Sequence, residues 1–162
     1  MPPISEKISR LPQAAAMILF VSLCAVTVAA ASEKKIPRSA LPPAVEKTVQ
    51  QQAQGATIRE FTSETENGKI EYEVEMTVNG HSKDVSIAPD GTVLEVEEAV
   101  SFNSLPPAAK SAILARANGA KVGTVESVTK NGKIVSYEAH VVNAGKKSEI
   151  AVGPNGEKVD ED

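Results

Sequence analysis

The sequence predicts an α+β protein of two tandem modules, each one helix followed by an antiparallel meander of about four strands. Three observations carry the prediction: an ordered set of short motifs that occurs twice, apolar residues at helical spacing after each Leu-Pro-Pro, and polar–apolar alternation in the segments that follow.

The repeat decides the architecture. Leu41-Pro42-Pro43-Ala44-Val45 recurs as Leu105-Pro106-Pro107-Ala108-Ala109, and Gly55-Ala56-Thr57-Ile58 as Gly119-Ala120-Lys121-Val122. Asn67-Gly68-Lys69-Ile70 recurs as Asn131-Gly132-Lys133-Ile134, Tyr72-Glu73 as Tyr137-Glu138, and Pro89-Asp90-Gly91 as Pro154-Asn155-Gly156. The offset is 64 residues up to Ile134 and 65 beyond it, so one insertion separates the copies. The chain of 162 residues divides into a leader at 1–31, a linker at 32–40, a first module at 41–102 and a second at 103–160.

The leader has the layout of a signal peptide. Lys7 and Arg10 precede an apolar run over 14–31 that is broken only by Ser22 and Thr27. It ends in Ala29-Ala30-Ala31, a small-x-small site, and turns polar at Ser32-Glu33-Lys34-Lys35, which predicts cleavage after Ala31 and a secreted or periplasmic product. An uncleaved anchor is the alternative, since the run is at the lower edge of bilayer-spanning length. Cys24 leaves with the leader, so the remaining chain has no thiol, disulfide or thiolate metal ligand. No later segment approaches spanning length, and no membrane association is expected after cleavage.

Each module opens on a helix. Leu-Pro-Pro suits a helix N-terminus, where Pro lacks a donor that the first turn leaves unpaired. Leu41, Val45, Val49 and Ala53 then share one face, as do Leu105, Ala109, Ile113 and Ala117. Gly55 and Gly119 stand just past the helix ends. Strands are predicted over 57–64, 71–78, 82–88 and 92–96. The second copy supplies 121–129, 135–142, 146–152 and a short strand near Lys158-Val159. Glu71 to Val78 alternates polar and apolar without a miss, and Asn79-Gly80 is a strong hairpin turn.

These motifs resemble the PepSY-like domain, a group related to the PepSY propeptide domains and more distantly to the β-lactamase-inhibitor protein fold. The matching order is Leu-Pro-x-x-Val, Gly-Ala-x-Ile, Asn-Gly-Lys-Ile-x-Tyr-x-Val, a polar-Gly turn, and Ala-Pro-Asp-Gly-x-Val-Leu. It runs over 39–100 and again over 103–159. The second copy departs from it at Ala109, Ser136 and Ala139. The resemblance implies an exported, non-catalytic module that binds, inhibits or regulates another protein, such as a peptidase or other envelope enzyme. It carries over no catalytic residue and no cofactor.

Charge separates the copies. Residues 41–102 carry 4 basic and 12 acidic side chains, net −8, whereas 103–162 carry 8 and 7, net +1. From Ser32 onward the balance is 15 basic to 20 acidic, net −5, which argues against nucleic acid as the partner, while the resemblance implies a protein partner.

Glu71, Glu73 and Glu75 share one strand face, and a two-residue turn at Asn79-Gly80 puts Glu75 opposite Asp84. This group is the candidate partner-binding face. Alternate residues of a strand stand about 6.8 Å apart, too far for Glu71, Glu73 and Glu75 to chelate one ion together. Glu75 with Asp84 is a weak candidate for a half-hydrated Ca²⁺, and a cation- or small-ligand-binding envelope protein using this face is the alternative function. The plainer reading is a solvated, solubilising surface. Catalysis is poorly served. His81 sits by a turn and His140 on an alternating strand, neither within a nucleophile, metal or acid–base motif, and there is no glycine-rich phosphate loop.

Overall fold

The computed structural model describes residues 33–66 and 68–159. The expected leader with its cut after Ala31 and Cys24 lies outside the described residues, as do Asn67 and Asp160.

Helix α1 spans Pro43–Gln52 and helix α2 spans Pro107–Ala117. Both start on tandem prolines, with Pro42 and Pro106 as the capping residues in extended conformation. Their apolar stripes are buried: Val45 and Val49 in α1, and Ala109, Ile113 and Ala117 in α2. Among the described residues, no helix is long and apolar enough to cross a membrane.

The strands are β1 (Lys34–Lys35), β2 (Thr57–Glu66), β3 (Lys69–Val78), β4 (His81–Ile87), β5 (Val93–Val100), β6 (Lys121–Lys130), β7 (Lys133–Asn143) and β8 (Lys146–Val152). They corrected the predicted fold class. The protein is not two tandem α+β modules, each with its own meander; it is mostly β, a single eight-stranded antiparallel sheet in sequential order with two short helices laid on it. The decisive pairing is β5 with β6, which runs from Glu95↔Lys130 to Val100↔Val125 across the expected module boundary. Its physical cause is general. A meander that stopped at β5 would leave a row of unpaired N–H and C=O groups, and pairing that edge with the next strand removes it.

Individual strands differ as well. β1 comes from the segment read as a linker, and it pairs Lys34 with Ser63 and Lys35 with Thr62. β5 continues past Val96 to Val100 because it has a partner on both sides. The strand expected near Lys158-Val159 is reduced to one bridge, Val152↔Lys158.

Both helices cover the same face of the sheet. α1 packs on Phe61, Val74, Met76, Val85 and Ile87, and α2 packs on Val125, Tyr137, Ala139 and Val152. Val96 joins the first cluster and Val100 the second. Positions four apart on β5 point the same way, so one face serves both helices.

Among the described residues the other face carries no helix, yet part of it is shut away from water. Thr62, Val128 and Ser136 alternate with helix-facing residues, and each is no more than 2% exposed. Burial on an uncovered face requires the sheet to curl over it. Register shifts at Ile58/Glu60, Ser86/Ile87, Val122/Val125 and Val128/Thr129 supply the bending, because a bulge increases local twist.

Candidate binding face

The helix-free face is built from the polar positions of the alternating strands. Across it runs a row of directly opposed acids: Glu60 on β2 faces Glu75 on β3, Glu75 faces Asp84 on β4, and Asp84 faces Glu97 on β5. Beyond Glu97 the row continues as Val128 and Ser136. A second row runs Thr62, Glu73, Ser86, Glu95, Lys130 and Lys133. Like charges directly opposite each other destabilise a strand pair, so the first row costs stability at each of its three junctions.

The curl encloses a cleft of about 610 Å³ at the end of the sheet where the β2–β3 and β6–β7 hairpins turn. Glu64 and Glu71 stand at one side of it, Lys130 and Glu138 at the other, with Glu95 and Glu97 between. Val93, Val128 and Val135 contribute apolar wall.

Cations offset only part of this charge. Arg59, the extra residue of the first bulge, reaches Glu75 at 3.4 Å. Lys130 lies 2.8 Å from Glu95, and Lys35 pairs with Glu60. The middle of the face is different. Glu97 is pushed up to about 8 by burial first, then by its hydrogen bond with Glu95 and by the charges of Glu138, Glu95 and Glu126. Burial also raises Asp84, with help from Glu75 and Glu126, and raises Glu73, with help from Asp84 and Glu75. Asp84 Oδ1 is shut off from solvent and has no hydrogen-bond partner.

A smaller network ties the two halves of the chain together. Ser82 Oγ donates to Glu126 Oε1 at 2.8 Å, and His140 Nε2 lies 3.4 Å from Glu126 Oε2. His140 is also opposite Glu149 in the β7–β8 register.

The structure brings Glu75 and Asp84 together as directly opposed residues and puts Glu73 and Glu71 on the same face, Glu71 at the rim of the cleft. Among the described residues, no group of three or more His, Cys, Asp or Glu side chains is arranged to hold a metal ion. Glu95, Glu97, Glu126 and Glu138 were not singled out from the sequence. The signal was present in part, because Glu95 and Glu97 alternate with Leu94 and Val96. What was missing was the β5–β6 pairing that extends one acidic face across both repeats.

No protein-family model matches the chain, and no curated protein matches it either. Solved structures do. The chain is similar to a candidate periplasmic protein from Bacteroides eggerthii, with a TM-score of 0.61 and 18% identity, over 74% of this chain and 86% of that one. It is similar to a DUF2874 family protein from Bacteroides uniformis, with a TM-score of 0.59 and 18% identity, over 74% and 86% of the two chains. It is also similar to a BLIP-like protein from Bacteroides fragilis, with a TM-score of 0.56 and 21% identity, over 78% and 86%. At these identities the likeness is one of fold: a curled antiparallel sheet carrying helices is shared with these proteins.

Proposed function

We propose that this chain is an exported, non-catalytic binding protein of the PepSY-like kind, whose helix-free sheet face docks onto a basic surface of a partner protein. The observation that carries the reading is the row Glu60, Glu75, Asp84 and Glu97 on a concave face that carries no helix among the described residues. A fold gains nothing internally from four opposed acids. A cationic partner gains from all of them, and a concave, partly dehydrated surface strengthens each contact. Export is supported by the signal-like leader and by the description of the Bacteroides eggerthii neighbour as a candidate periplasmic protein. The BLIP-like neighbour and the family resemblance favour an inhibitory or regulatory role toward a peptidase or another envelope enzyme.

The test compares two baits in the native envelope fraction: the wild-type protein and a variant with Glu71→Gln, Glu73→Gln, Glu75→Gln and Asp84→Asn. The expected result is a protein retained by the wild type, lost in the variant, and released as salt rises from about 50 mM to 300 mM, because exposed charges are screened within about 10 Å. Identical capture by both baits, with both shown to be folded, overturns the reading.

A further inference from the structure

The cations of the concave face sit at its margins: Arg59 and Lys35 on the β2 side and Lys130 on the β6 side. At its centre Glu97 stands among other carboxylates, which the opposed register brings onto one face. Asp84 faces Glu97 from β4, Glu95 follows on the same strand, Glu126 and Lys130 approach from β6, and Glu138 from β7. Glu64 and Glu71 look in from the far wall of the cleft. Carboxylates gathered on one face raise one another's proton affinity, and an added positive charge relieves them.

We propose that the cleft is a socket for one cationic side chain, a lysine or arginine presented by the partner, and that Glu97 receives its charged head, giving up a proton as it does so. The inference rests on the proposed docking of a basic protein on this face. The exchange balances in charge: the Glu97 O–H proton leaves to solvent, the ammonium or guanidinium takes its place, and the sum over the cluster is unchanged. The walls fit such a guest. Val93, Val128 and Val135 match the apolar stem of a long basic side chain, whose charged head then reaches Glu97. The cleft volume of about 610 Å³ holds neighbouring residues of the partner segment as well.

The experiment is calorimetric titration of the folded chain with capped tetralysine, and separately with capped tetraarginine, at low salt and pH 7.5. Each titration is run in two buffers that differ in ionisation heat. The expected result is a buffer-dependent heat equal to release of between half and one proton per peptide. Affinity should rise about tenfold between pH 7 and pH 9. In Glu97→Gln, salt-sensitive binding should persist while proton release and the pH dependence disappear. Salt-sensitive binding by the wild type with equal heats in both buffers overturns the proton exchange and leaves the docking reading standing. Proton release that survives Glu97→Gln overturns the assignment to Glu97. Absence of binding by both peptides at low salt removes this inference and the acidic-face reading together.

Discussion

Gly91 lies directly against the backbone of Ala44: a Cβ at residue 91 would stand 2.8 Å from the Ala44 carbonyl oxygen and 3.1 Å from its carbon. The second repeat reproduces the contact, since a Cβ on Gly156 would stand 2.8 Å from the Ala108 carbonyl oxygen. In the first repeat the approach is sealed by Thr48 Oγ1, which donates to the Gly91 carbonyl at 2.7 Å; in the second, Ala112 fills the place of Thr48. Each glycine thus locks the first turns of a helix to the turn that follows its sheet segment.

Gly91→Ala and Gly156→Ala should therefore each destabilise the protein by roughly 2–4 kcal/mol, the sum of a left-handed backbone strain of about 1 kcal/mol and a clash with backbone that cannot move aside. Gly80→Ala is the control. Gly80 has a similar φ of +85° but nothing within 4 Å, so only the strain is expected, about 1 kcal/mol. Denaturant midpoints of the three variants check this. Equal losses in all three would show that the close approach carries no energy.

The β7–β8 hairpin turns through Ala144 and Gly145, both at positive φ, with Ala144 at +48°. The equivalent turn between β3 and β4 uses Asn79 at +49° with Gly80. Asn tolerates this region far better than Ala. Ala144→Asn should raise stability by about 0.5–1 kcal/mol without altering the fold. The same change read by thermal melting should shift Tm upward by a few degrees.

Stability should fall as pH rises through neutrality. Glu97 is held at about 8 in the folded protein against 4.5 for an ordinary glutamate, so between those values the folded state keeps a proton that the unfolded state has lost. The contribution of Glu97 to folding is then largest below about 4.5, falls as pH rises, and stops falling above about 8. Other carboxylates that are lowered, such as Glu46 beside Arg38, act in the opposite sense at acid pH, but Glu46 is near the surface and contributes little. Glu97→Gln should flatten the melting temperature between pH 6 and pH 8.5. It should also stabilise the protein at pH 8.5 by about 1 kcal/mol after allowance for solvent screening at a half-buried site. An unchanged pH profile in this variant would place the proton elsewhere.

The seam between β5 and β6 should make the two repeats interdependent. A chain ended at Phe102 would bare the β5 edge from Glu95 to Val100 and lose the Ser82–Glu126 hydrogen bond. It should unfold at lower denaturant than its shorter length accounts for and should self-associate through the open edge. The intact chain should show one transition. Two transitions in the intact chain, each matching an isolated half, would mean the seam adds no cooperativity.

The local elements were legible in the sequence because their causes are local. Tandem prolines start both helices, residues at 3.6 spacing such as Leu105, Ala109 and Ile113 mark the buried stripe, and Asn79-Gly80 sets the β3–β4 register that opposes Glu75 to Asp84. The acids of β3 and β4 were legible for the same reason, since alternation alone assigns them to one face. The tertiary structure decided the rest. Whether β5 closes one meander or joins the next depends on an edge finding its partner some thirty residues further along the chain, and periodicity is silent on which edges meet. The curl that buries Val128 and Ser136, and that gathers Glu64, Glu97 and Glu138 around one cleft, arises from twist and bulges accumulated over eight strands. Each strand carries its carboxylates by sequence alone. Only the shared, curved sheet brings them close enough for Glu97 to retain its proton.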